Sequence, residues 1–241
     1  MDQILLLHGA IGAKDQFTSL TALLQDRFAV HTLDFYGHGG QPIADEPFSI
    51  PLFSKQVLDY LDQHSIKRVH IFGYSLGGYV GMYFAKHYPE RINQLITLAT
   101  KFYWDEPVAA KEIPQLNAGL IEQKLPAFAE QLRQRHQPQD WKLVLEKTKE
   151  LLLNLGKNNA LHLSDYTDIQ TRCLILLGDR DKMVSLEETE SVYVHLPLAQ
   201  FGILPGTAHP LEQVDMSLLS FMIFHFISGQ LRGNQPAKTK A

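Results

Sequence analysis

The chain has one cysteine in 241 residues, which excludes an internal disulfide framework and any cysteine-rich metal centre. That residue, Cys173, lies inside the apolar run Cys173-Leu174-Ile175-Leu176-Leu177, where a thiol behaves as a small buried hydrophobe. Positive charge is also scarce: 22 Lys and Arg stand against 26 Asp and Glu, a formal net charge of -4. The basic residues are scattered, so no stripe exists to neutralise phosphates, and nucleic acid is not an expected partner. No apolar run approaches the roughly 20 residues that span a bilayer. The run Ile4 to Leu7 follows Met1-Asp2-Gln3, which is acidic, and it is too short for the hydrophobic region of a secretory signal. A cytoplasmic protein without membrane attachment, monomer or homodimer, is the expectation. The sequence also lacks His-Glu-x-x-His, paired cysteines and a glycine-rich nucleotide loop, so catalysis without metal or cofactor is expected.

What is present is enough apolar material, 45% of the residues, for one sizeable core. Short apolar runs alternate with longer segments of helical period, the pattern of a parallel sheet covered on both faces. Strands are predicted at Gln3 to Leu7, Phe28 to Leu33, Arg68 to Phe72, Gln94 to Ala99, Cys173 to Leu177 and Gln200 to Leu204. Between them, helices are predicted over Phe17 to Asp26, Ile50 to His64, Gly78 to His87, Leu186 to His195 and Met216 to Ile227. Residues 101–163 break the alternation and read as helices separated by Pro107, Pro114, Pro126 and Pro138, an insertion in the sheet-forming sequence. Residues 229–241 are polar and without periodicity, and a mobile tail is expected there.

The chemistry starts at Gly73-Tyr74-Ser75-Leu76-Gly77. A serine on a sharp strand-to-helix turn needs small residues two positions before and after it, and Gly73 and Gly77 meet that need. The turn lifts the hydroxyl into a crevice and aims a helix N-terminus at the same point. With a strand before it and a helix after it, Ser75 is the candidate nucleophile.

This pattern resembles the α/β-hydrolase fold family, in the group of small capped single-domain esterases, across roughly residues 3 to 227. The resemblance implies an α/β fold with a mostly parallel sheet of about six strands, helices on both faces and a helical cap. Residues 1–100 and 164–228 would form the core and residues 101–163 the cap. Many relatives have two further strands before the His-Gly strand, whereas here His8-Gly9 follows almost at once, so either the sheet is minimal or the native N-terminus lies upstream. The family order of nucleophile, acid and histidine puts the acid in Gly178-Asp179-Arg180-Asp181, with Asp181 catalytic and Asp179 as the runner-up, a turn-capping residue. It puts the histidine in Gly206-Thr207-Ala208-His209, after the last strand. A serine hydroxyl attacks only if an imidazole accepts its proton, and the imidazole needs a carboxylate to fix its tautomer. By the same resemblance the backbone N–H groups of Leu76 and Ala10 form the oxyanion hole. His8 and His38 would brace that loop.

Phe102, Tyr103, Trp104 and Trp141 are candidates for an apolar substrate pocket, although helix packing could also use them. Arg91, Arg133 and Arg135 could bind a carboxylate or simply cover a solvated face. The implied function is hydrolysis of a carboxylic ester or thioester, a small-molecule acyl substrate, through an acyl-enzyme. Carbon–carbon bond hydrolysis, lyase or acyltransferase chemistry on the same triad, and a non-catalytic ligand receptor, are the alternatives.

Overall fold

A computed structural model of the chain describes residues 1–230. Its centre is a six-stranded, all-parallel sheet in the order β2-β1-β3-β4-β5-β6. The strands are β1 (Asp2–Leu7), β2 (Phe28–Leu33), β3 (Val69–Tyr74), β4 (Ile92–Leu98), β5 (Arg172–Gly178) and β6 (Ala199–Leu204). Side chains on a strand alternate between the two faces, and β1 shows what that does here. Leu5 and Leu7 enter a core with Phe53, Val57 and Val80, while Ile4 and Leu6 enter the opposite core with Phe17, Leu20 and Ile223. A strand buried on both faces must be apolar throughout, which explains the unbroken run Ile4 to Leu7, each residue 0% exposed.

Helices α1 (Thr18–Leu24) and α10 (Met216–Ile227) cover one face; α2 (Ile50–Gln63), α3 (Leu76–His87) and α9 (Leu186–His195) lie over the other. In α2 the Ser49 side chain accepts from Leu52 N, and the buried stripe Phe53, Val57 and Leu61 recurs every four residues. Burying each such side chain contributes about 1.5–3 kcal/mol. Between β4 and β5 the chain forms α4 (Glu106–Glu112), α5 (Ala118–Lys124), α6 (Pro126–His136), α7 (Trp141–Lys157) and the short α8 (Leu163–Tyr166). Among the described residues no helix is long and apolar enough to cross a membrane.

The boundaries depart from expectation where glycines lie. Strand β3 continues through Gly73 to Tyr74, and α3 begins at Leu76 rather than Gly78. The turn at Ser75 imposes both changes, and its geometry overrides the poor propensities of Gly73, Gly77 and Gly78. The predicted helix from Phe17 is a 3-10 turn, Lys14–Phe17, running into α1. The tail expected from residue 229 lies, beyond Gln230, outside the described residues.

Candidate active site

The loops that follow β1, β3, β5 and β6 meet at the C-terminal end of the sheet, where parallel α/β sheets open their crevices. Ser75 sits between β3 and α3 with φ 51° and ψ −118°, a left-handed conformation that a non-glycine residue adopts only under restraint. Its N–H donates to Leu98 O at 2.9 Å and its carbonyl accepts from Gly78 N at 3.0 Å, so neighbouring elements hold the turn. A Cβ on Gly77 would run into the Leu7 carbonyl, and one on Gly73 into the backbone of Gly77. Both positions therefore require glycine.

Ser75 Oγ lies 3.3 Å from His209 Nε2, and His209 Nδ1 lies 2.8 Å from Asp181 Oδ2. The other carboxylate oxygen, Asp181 Oδ1, accepts from Met183 N at 2.8 Å and Val184 N at 2.9 Å. The Asp181 side chain is 0% exposed and that of His209 13%, so the acid is dry while the imidazole still reaches the cavity. Burial alone would raise the Asp181 pKa, but the His209 hydrogen bond and charge, with the two amides, hold it below the usual carboxylate range. An ionised partner at Nδ1 keeps that proton in place and leaves Nε2 free to accept one from Ser75. Tyr74 O–H donates to the His209 carbonyl at 2.9 Å and fixes the loop from behind. Asp179 Oδ1 accepts from Thr207 N at 3.0 Å; that amide and Gly206 N hold its pKa down, the behaviour of a turn cap.

The loop after β1 is held by two buried histidines. His8 Nε2 accepts from Phe35 N at 3.0 Å, so its proton is on Nδ1, which donates to Gly9 O at 2.7 Å. His38 Nε2 reaches the Ala10 carbonyl at 2.6 Å. Burial lowers the pKa of both. Among the described residues nothing accepts a hydrogen bond from the N–H of Ala10 or of Leu76. Both residues border a cavity of about 570 Å³ that also reaches Ser75 and His209.

Leu116, Ile121, Phe128 and Leu152 make the cavity wall mostly apolar. Of the four predicted pocket aromatics, Trp104 alone lies on that wall. Phe102 is 2% exposed and packs edge-on to Tyr79 and Tyr166 inside the core. Tyr103 points outward, 54% exposed, its hydroxyl on Asp105, and Trp141 is buried in the core at the start of α7. Three consecutive aromatics in a loop have no period, so sequence could not say which faced inward. Sequence reasoning passed over Tyr79 and Met183, both on the wall, because nothing local distinguishes them from core. Arg91 is engaged with the Ile66 and Lys67 carbonyls and Asp62, and Arg133 with Glu130. Arg135 does border the cavity, but its guanidinium already meets Asp15 at 3.1 Å. Among the described residues no group of His, Cys, Asp and Glu could hold a metal ion.

Comparisons agree with this arrangement at the level of the fold. A serine hydrolase from Cycloclasticus zankles superposes with a TM-score of 0.80 over 97% of this chain and 92% of that one, at 19% identity. A pimeloyl-[acyl-carrier protein] methyl ester esterase from Neisseria meningitidis is 25% identical over 231 residues, 86% of each chain. An uncharacterized protein of Mycobacterium tuberculosis is 34% identical over 96 residues, which is 40% of this chain and only 28% of that protein. Residues 2–153 match the alpha/beta hydrolase fold family, and the chain belongs to it.

Proposed function

We propose that the protein is a serine hydrolase that cleaves a carboxylic ester or thioester. The observation that carries this reading is the hydrogen-bonded series Ser75, His209 and Asp181 at the edge of a mostly apolar cavity. Ser75 Oγ attacks the acyl carbonyl while His209 Nε2 takes its proton, and Asp181 stabilises the resulting imidazolium. The carbonyl oxygen becomes an oxyanion, and the free N–H groups of Ala10 and Leu76 are its donors. Collapse expels the alcohol or thiol with the proton from His209, leaving Ser75 acylated. Water, deprotonated by the same nitrogen, then attacks the acyl-enzyme; the bond from the acyl carbon to Ser75 Oγ breaks, His209 returns the proton to Oγ, and the carboxylic acid leaves. Residues 101–163 act as the cap that shapes the acyl pocket over a core of residues 1–100 and 164–228. The name of the Neisseria relative, a methyl ester esterase, supports ester substrates of this kind.

The test is hydrolysis of nitrophenyl esters from acetate to octanoate by the wild type beside Ser75→Ala and His209→Ala. Turnover by the wild type that disappears in both variants is the expected result, with the chain-length optimum reporting the size of the cavity. A folded wild type that leaves every ester intact would turn the reading towards carbon–carbon substrates or ligand binding.

A further inference from the structure

Glu112 is the last residue of α4 and is 3% exposed, yet it borders the same cavity as Ser75. The chain runs on from it without a break into a 3-10 turn, Ile113–Leu116. One carboxylate oxygen, Oε2, accepts from Gln115 Nε2 at 2.9 Å. Among the described residues no donor reaches the other oxygen, and no cation pairs with Glu112. Lys101 also borders the cavity, but its ammonium faces Glu188 at 3.5 Å. The same wall holds Trp104, whose buried Nε1 has no acceptor among the described residues.

A carboxylate taken out of water with one neutral hydrogen bond is costly, and an apolar side chain of similar volume would suit the fold at least as well. The cost is offset if something that enters the cavity brings a donor. Resting on the ester-hydrolase reading above, we infer that Glu112 is a specificity-determining residue that accepts a hydrogen bond from a hydroxyl or ammonium group carried by the substrate away from its scissile bond. A plain alkyl chain would bring no donor to the second carboxylate oxygen. A site built around a hydrogen bond rejects the analogue that lacks the partner, here by about tenfold to hundredfold for one charge-assisted bond.

The experiment compares kcat/KM on nitrophenyl hexanoate, ω-hydroxyhexanoate and ω-aminohexanoate, and on hexyl and ω-hydroxyhexyl acetate, for the wild type, Glu112→Gln and Glu112→Leu. We expect the wild type to prefer the donor-bearing member of one series by about tenfold or more, and Glu112→Leu to bring that ratio close to one. Glu112→Gln separates the two sources: its neutral amide oxygen keeps a preference for a hydroxyl and loses one for an ammonium. The melting temperature of Glu112→Leu should hold or rise, and a fall of several degrees would instead assign Glu112 to the fold and overturn the inference. Equal ratios in wild type and Glu112→Leu would overturn it as well. A separate readout, the thermal stabilisation of Ser75→Ala and Ser75→Ala/Glu112→Leu by the two acetates, keeps the two ideas apart. Ser75-dependent hydrolysis with no donor preference sinks only the Glu112 inference. Donor-dependent stabilisation through Glu112 in a protein without turnover sinks only the hydrolase reading.

Discussion

On the sheet side of the cavity, Ser75, Asp181 and His209 lie just beyond the ends of three strands, and both carboxylate oxygens of Asp181 are hydrogen-bonded. On the helix side, Trp104 and Glu112 come from the segment between β4 and β5; among the described residues the buried Trp104 Nε1 has no acceptor, and the Glu112 carboxylate takes one hydrogen bond, from Gln115. Fully satisfied polar networks hold one geometry, whereas partly satisfied ones are costly unless something else completes them. On the proposed reading, the sheet side positions the reacting atoms and the helix side is completed by what it binds.

The sharpest attempt to break this comparison is at Asp181. In Asp181→Asn the oxygen bonded to Met183 and Val184 can stay, but the group facing His209 Nδ1 becomes an amide donor and forces the proton onto Nε2. Ester turnover should fall by about 10⁴-fold in kcat, with the protein folded at neutral pH. Asp179→Asn, two residues away, should leave turnover near wild type, because Asp179 serves Thr207 N and not the imidazole. Burst kinetics on both variants checks this; equal losses would mean that the acid has been misassigned between the two.

Much of the sheet side could be read from sequence, and the reasons are local. Gly73 and Gly77 are required by atoms of their own turn and of β1 beside it, and buried parallel strands must be apolar throughout, as Ile4 to Leu7 is. Asp181 and His209 became legible through their places after β5 and β6. The helix side offers no such signals. Phe102, Tyr103 and Trp104 are equivalent in sequence, and packing alone sends the first to the core, the second to solvent and the third to the cavity. Glu112 follows Lys111 in a helix rich in charge and reads as solvated surface, yet it is buried.

A smaller effect tests how far the brace beneath the loop after β1, the proposed oxyanion loop, belongs with the sheet side. His136, from α6, accepts from Gly39 N at 3.3 Å and packs on His38, whose ring reaches the Ala10 carbonyl. Burial, then the His38 and Arg135 charges, brings the His136 pKa down to about 3. A histidine lowered on folding takes its proton in the unfolded state first. Its effect is absent above the ordinary histidine value of about 6.5, and stability is lost as pH falls from there, by about 1.4 kcal/mol per unit for each histidine kept neutral. The Asp181 carboxylate, also lowered, adds stability that is full above about 4 and disappears only below that. Urea midpoints should therefore decline between pH 6.5 and 5, before any carboxylate window, and His136→Gln should make that slope shallower while His8 and His38 keep the rest of it. An unchanged slope would show that the brace does not link stability to pH.

The smallest expected effect is at Tyr74, whose hydroxyl donates to the His209 carbonyl and whose own ionisation burial pushes up. Tyr74→Phe removes one net hydrogen bond, worth about 1 kcal/mol, and leaves a carbonyl that can still meet water at the cavity edge. If the sheet side is over-determined, Asp181 alone keeps the imidazole in place, and kcat/KM should fall by less than about tenfold while the melting temperature drops a few degrees. A loss comparable with Asp181→Asn would mean that His209 is held from one side only, and that the catalytic wall depends on completion much as the helical wall does.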